Sequence, residues 1–390
     1  MSLHNCTADI EANYKPIGDA DPATAIAPGG AVPLRSPTAI TFYRLTILAS
    51  FFQTIAAPLN TSIFALYLHG APPTVAQLTS LQAIAWSLRV ACAMCSDTIK
   101  LGGYRRKLWL LMGWIITTTS VAVMAFSDFG PPYCDPNVNP GCMRTAPTNA
   151  KSQIYDLSAP SRVRWYRVPT FFSAVGMVMV QTTLDGAMVE IAHREPVDIR
   201  GQFQTVAVLV SGIGAVLTRV LLQFGFNEKR YGGNYDYSAG PHVAYGILFG
   251  LGLLGCVATA LRFEDTLSPI EECFNWWRQL WSLLQTRAVY QLLSFRLLTS
   301  VFQSTSGPSV MNWVTNLDFV WTNVVQRVPF TPTLIVIFFK GMGWNWRKVV
   351  FITTLGSIVV TAIPVLCVTW NVCRNAYFYV LILWLSFVGN

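Results

Sequence analysis

The sequence predicts an all-α protein that crosses a membrane many times, and three observations predict it. Of 390 residues, 53% are hydrophobic and 12% charged, about half the charge of an ordinary soluble domain. Aromatic residues reach 13%, with 13 Trp and 23 Phe, which is too apolar for a solvated, disordered coil. The apolar residues run in stretches of about 20, the length one helical crossing needs, and Lys and Arg punctuate them. A water-soluble enzyme is thereby excluded. So is a nucleic-acid module: the net charge is +8, but such a module gathers its cations on a solvated face with few apolar runs.

Residues 1–37 read as a flexible cytosolic tail, because Pro16, Pro22, Pro28, Pro33 and Pro37 interrupt a stretch with little periodic apolar content. Residues 38–262 then hold six spans, at 39–68, 75–96, 107–127, 166–192, 201–224 and 242–262. The segment 263–287 reads as a cytosolic linker. In it Trp276, Trp277, Leu280, Trp281 and Leu284 stand beside Glu271, Glu272, Arg278 and Arg287, the pattern of an interfacial amphipathic helix. Residues 288–390 make an incomplete second half, with spans at 288–306, 319–340 and 349–370 and a tenth, from 376, that is cut short.

Loop charges orient the chain. Lys100, Arg105, Arg106, Lys107, Arg194 and Arg200 fall in loops on the side of the N-terminus, whereas the short loops opposite hold only Lys229, Arg230 and Arg374, so the N-terminus is cytosolic. The outer segment 128–165 departs from this with Arg144, Lys151, Arg162 and Arg164, but long loops orient weakly. It also places Cys134 and Cys142 in PPYCDPNVNPGC, facing an oxidising space. A disulfide and two free thiols both fit there.

Several chemistries have no footing. Cys92 and Cys95 form a CxxC inside an apolar span rather than near a βαβ pattern. Gly250, Gly252 and Gly255 spell GxGxxG within the apolar run Tyr245 to Leu261, so with Gly246 they read as a close-packing helix face, as do Gly212 and Gly214. No Walker A run, HExxH or GxSxG occurs. Neither a metal nor a cofactor is implied.

The stretch AWSLRVACAMCSDTIKLGGYRRKLW, Ala85 to Trp109, is the most informative. An apolar helix ends in Ser96 and Asp97, and Arg105 and Arg106 open the next span after a glycine turn. An acid facing two arginines across a tight inner loop can make a charge-assisted lock; helix capping and orientation charge are the plainer reading. Deeper, Asp185 stands at bilayer depth, where an ionised group costs at least about 2.5 kcal/mol and so marks a pathway or a buried pair. Asp185 and Glu190 lie about 140° apart on a helix and do not share a face. Proton coupling and pairing with Arg89 or Arg219 are both open to Asp185, a permanent fastener being the structural alternative. Glu190 and His193 sit near the inner surface, where a bridge to Arg194 or Arg200 is expected.

The order Trp86, Arg89, Ser96, Asp97, Gly103, Tyr104, Arg105, Arg106 resembles the folate-biopterin transporter family of the major facilitator superfamily, in which a Trp and a basic residue precede an SD turn and a GYRR run. QTTLDGAMVEIAHREPVDIRGQFQT, Gln181 to Thr205, is similar to the same family's intramembrane acid, REP turn and RGQxQ helix start. The family's pattern would put Lys, Pro and Gly at Arg89, Val90 and Ala93, and a carboxylate at Gln181, where an amide has no proton to release.

The resemblance implies a major-facilitator-like bundle of two six-span halves, here with the C-terminal half truncated by two spans. It implies a secondary active transporter, not an enzyme, that moves a folate, pterin or related anionic solute by alternating access. Its partners are that solute and the lipid bilayer, plus a membrane partner chain if the truncation is real. Planar donors suit anionic carboxylates, so Arg89 and Arg296, from opposite halves, would meet the solute with Asp185 coupling its movement. Asp97, Arg105 and Arg106 would form the conformational lock. For Arg219 and Arg327 snorkelling is the competing expectation. GMGWNWRKVV, from Gly341, echoes GGYRRKLW in the second half without an acid matching Asp97. A truncated non-transporting membrane protein and a transporter of a different small solute are the alternatives, with the plasma membrane the default location.

Overall fold

The computed structural model describes residues 30–99, 101–133, 156–196, 199–225, 240–265, 273–303 and 346–370, with Tyr237, Val372 and Phe378 besides. Residues 1–29 of the expected tail, Cys134, Cys142, Arg327, the expected span at 319–340 and, but for Phe378, the one from 376 lie outside the described residues.

Helix α1, Pro37–Leu59, begins where the Ser36 Oγ accepts the Ala39 N–H at 3.2 Å and Pro37 fills the first turn, where its missing N–H costs nothing. Near the other end Pro58 has no N–H to give Thr54. The chain then widens into a π-helical turn over Asn60–Tyr67, which closes as the Leu68 N–H bonds the Ile63 carbonyl at 3.0 Å.

The second span is a broken rod, α2 (Pro72–Ser87) and α3 (Arg89–Thr98), interrupted at Leu88, whose N–H turns back to the Ala85 carbonyl at 3.1 Å. The break forms without Pro or Gly at 90 and 93. After it come α4 (Lys107–Phe126), short turns over Ala159–Arg162 and Val163–Tyr166, α5 (Arg167–His193), α6 (Gln202–Gly225) and α7 (Pro241–Arg262). Then follow α8 (Cys273–Gln285), α9 (Arg287–Gln303) and α10 (Trp346–Thr369). By length and composition, six helical stretches before Phe263 could each cross a membrane. The protein is an integral, multi-pass membrane protein.

Helix α4 is central: it packs on α5 and α7, while α1 packs on α6 and α2 and α3 lean on α5. Its buried face carries Thr117, Thr118 and Ser120 as well as Trp114, and its exposed positions are Ile115, Val123 and Phe126 with the single hydroxyl residue Thr119. That is the membrane pattern, with small and hydroxyl residues between helices and apolar ones outward. Glycine sets the closest approaches. A Cβ on Gly176 of α5 would stand 2.7 Å from the Gly113 carbonyl oxygen and 2.8 Å from the Thr117 nitrogen of α4. Gly255 of α7 lies against the fully buried Trp114 indole and Gly252 against Thr118, whereas Gly246 and Gly250 meet nothing within 4 Å. Only part of the GxGxxG string is therefore a packing face. Gly214 of α6 abuts the Ile47 carbonyl of α1, and nearby the Ser50 hydroxyl donates to the Ser211 carbonyl at 2.6 Å.

At the outer end the polar groups form a clasp. Arg162 pairs with Asp156 and donates to the Phe129 carbonyl at 2.8 Å and the Pro131 carbonyl at 3.1 Å. Gly130, at φ +66°, makes room for this guanidinium, and its carbonyl accepts the Tyr67 hydroxyl at 3.1 Å. Phe129 stacks on Tyr166, centroids 4.5 Å apart, and on Tyr245. The base of segment 134–155 is closed where the Asp156 N–H meets the Tyr133 carbonyl at 2.9 Å. Arg162, which departs from the charge rule in the sequence, is thus neutralised by a local partner.

The Ser158 hydroxyl, then its N–H and Arg162, hold the Asp156 carboxyl below the usual carboxylate range against the opposing effect of burial. A carboxyl depressed in the folded state stabilises above its unfolded pKa, about 3.9, and that contribution is lost as pH falls through the lower folded value. Thermal unfolding in detergent should therefore show a drop in Tm from pH 5 to pH 3 that is smaller in Asp156→Asn.

Candidate functional site

The GYRR loop is built by two glycines at positive φ, Gly102 at +57° and Gly103 at +82°, a conformation that glycine adopts without the clash a Cβ brings. They turn the chain so that Leu101 and Tyr104 pair and Arg106 precedes α4. There the Asp265 carboxylate, just beyond α7, accepts the Arg106 N–H at 2.7 Å and the Lys107 N–H at 3.0 Å. An acid at a helix N-terminus satisfies orphan donors and the helix dipole together. It also fixes the Arg106 backbone.

The inner lock residues come together. Asp97 Oδ1 accepts from the Nη2 of both Arg105 and Arg106, each at 3.4 Å. Arg106 Nη2 also lies 3.4 Å from Glu190 Oε2, and Glu190 Oε1 is 3.6 Å from Arg194 one turn further on. Burial lowers the Arg106 guanidinium pKa, while Glu190 and then Asp97 raise it. Glu190 takes Arg194, one of its two expected partners. Its bond to Arg106 joins α5 to the α3–α4 loop, a contact that no local sequence pattern announces. The Glu195 of the REP turn is a helix cap: 2% exposed, it accepts the Gly201 N–H at 2.6 Å and the Phe203 N–H at 2.9 Å at the start of α6. Glu195→Gln should lower stability by about 1–2 kcal/mol, read as a fall in Tm in detergent.

A second constellation lies about 7.5 Å deeper along α5, at about 1.5 Å per residue from Glu190 to Asp185. Of the two arginines weighed for it, Asp185 takes Arg89, at the start of α3. Gln181, one turn earlier on α5, donates its amide to Asp185 Oδ1 at 3.2 Å, and Arg89 lies 5.9 Å from the Trp86 ring centroid, within cation–π range. The break at Leu88 places Trp86 and Arg89 on either side of a turn. The pair is open: 47% of the Arg89 side chain and 31% of the Asp185 side chain are accessible. Arg296 stands exposed on α9. Among the described residues no group of three His, Cys, Asp or Glu side chains is placed to hold a metal.

A broken-rod helical bundle with paired charges at depth and a charge cluster at one end has the fold of a solved membrane transporter. The xylose transporter XylE from E. coli, in a partially occluded inward-open conformation, superposes with a TM-score of 0.54 at 13% identity, over 90% of this chain and 84% of that one. The inward-open conformation of the same transporter gives 0.49 at 12% identity, over 90% and 78%. At 13% identity the likeness shows the fold. Residues 59–129 match the model of the BT1 family, and this stretch is similar to the folate-biopterin transporters that the motifs resemble. That stretch contains Trp86, Arg89, Asp97, Arg105 and Arg106. No curated protein matches the chain.

Proposed function

We propose that this protein is a secondary active transporter for a folate, pterin or related anionic solute, working by alternating access in the plasma membrane. The observation that carries the reading is the accessible Arg89–Asp185 pair inside membrane-spanning helices. Charges facing hydrocarbon cost at least about 2.5 kcal/mol each, so an accessible side of the pair favours water over lipid. The open space beside it is therefore an aqueous path rather than lipid. Arg89 supplies a planar donor and Trp86 an aromatic face, the two surfaces that a flat, carboxylate-bearing solute uses. Arg296 joins them from the second half, and Asp185 couples solute to ion movement. The residues 38–262 and 288–390 act as two bundles joined by the linker 263–287. The Asp97, Arg105 and Arg106 cluster stabilises one of their arrangements.

The test is uptake of labelled folate or biopterin in a transport-deficient host, with the intact chain, Asp97→Ala and Asp185→Asn. Accumulation by the intact chain with loss in both variants supports the assignment; equal accumulation in all three removes it. Uptake of xylose, the solute of the protein with the superposing fold, in place of folate and biopterin would move the substrate class.

A further inference from the structure

We infer that Gly186 is a positioning residue: its missing side chain is the seat of the Arg106 guanidinium, and this lets one cation join Asp97 at the end of α3 to Glu190 on α5. The inference rests on the transport reading above and extends it to the residue linking the inner cluster to the deeper pair. A Cβ at Gly186 would stand 2.3 Å from Arg106 Nη1, 3.0 Å from Cζ and 3.3 Å from Nη2. The Arg106 side chain is 9% accessible, and its Nε and Nη1 are buried with no hydrogen-bond acceptor. The guanidinium is thus held by shape on the side of Gly186, while Nη2 alone reaches both carboxylates, each at 3.4 Å.

The backbone offers no retreat. Asp265 holds the Arg106 and Lys107 N–H groups, so a methyl group at 186 is met by a shift of the guanidinium, and its two contacts, each already 3.4 Å long, are the ones that lengthen.

The sequence of α5 shows why this seat touches the deeper site. Residues four apart on a helix stack in rows. Gln181 and Asp185 make one row, directed at Arg89, and Gly186, Glu190 and Arg194 make the row beside it, under Arg106. When Arg106 leaves its seat, the face uncovered is the one adjoining Asp185. Release of the inner cluster therefore begins one residue along α5 from the deeper carboxylate, on the neighbouring row.

A double-mutant cycle in the full chain, reconstituted in bilayers, tests this with Gly186→Ala, Arg106→Ala and the double variant. The readout is the rate of N-ethylmaleimide reaction at Cys92 and Cys95, the half-buried thiols of α3, resolved by peptide mass spectrometry. Gly186→Ala is expected to speed the reaction about tenfold, as Arg106→Ala does, and the double variant to go no further. A wild-type rate in Gly186→Ala, or rates that multiply in the double variant, overturns the proposal. If Gly186→Ala fails to fold, the double variant must fold, since the clash has gone; failure of both overturns it equally. The thiol readout needs no solute, so absence of folate uptake would defeat the substrate reading while leaving this cycle to be judged by itself.

Discussion

Exchanging the two deep charges, Arg89→Asp with Asp185→Arg, should leave the protein folded and remove solute uptake. The reasoning begins with energy. An ion pair with 47% and 31% of its side chains accessible contributes about 1 kcal/mol or less, so neither single variant nor the exchange should shift Tm by more than a few degrees. Uptake is another matter, because under the proposed function Arg89, beside Trp86, is the residue that meets the anion, while Asp185 stands on the other helix. Reversing them presents a carboxylate where the solute carries its own, and uptake falls by more than about tenfold, the equivalent of 1.4 kcal/mol. A fixed fastener behaves oppositely: each single variant fails and the exchange restores. Radiolabelled uptake beside size-exclusion profiles of all three variants separates the two.

The second large effect is structural. Gly176→Val should cost about 3 kcal/mol, at the upper end for overpacking, because the added atoms meet the Gly113 carbonyl at 2.7 Å, the Thr117 nitrogen at 2.8 Å and the Thr117 hydroxyl at 2.4 Å. Two of these are backbone atoms of α4, so no rotamer change relieves the contact and the helices must part. Gly250→Val is the control. It lies in the GxGxxG string, but nothing stands within 4 Å of its Cβ position, and it should unfold at the wild-type temperature. Thermal unfolding in one detergent for both variants provides the comparison.

The spans were legible because bilayer thickness acts on length and hydropathy alone, and α4 and α7 lie within a residue or two of their expected ranges. The break at Leu88 was not, since the residues that usually announce a bend are absent from 90 and 93. The lock was half legible. Asp97 and the two arginines are separated by one short loop, and their proximity follows from chain length. Glu190 reaches Arg106 across more than 80 residues, and Asp265 reaches the α4 N-terminus across more than 150; no local pattern encodes either. The pairing of Asp185 with Arg89 was one of the alternatives weighed, and the choice depended on how α3 leans on α5. Gly186 carried no signal at all, because a seat for a guanidinium is defined by the side chain that fills it.

Everything functional depends on water reaching the Arg89–Asp185 pair. A cysteine at 89 tests this directly, with Val123→Cys, on the exposed apolar face of α4, as the reference. A charged, membrane-impermeant methanethiosulfonate should modify Arg89→Cys in reconstituted protein and spare Val123→Cys, with peptide mass spectrometry distinguishing both from the nine native cysteines. Modification of position 89 by lipid-soluble maleimide alone would place the pair against hydrocarbon and contradict the account.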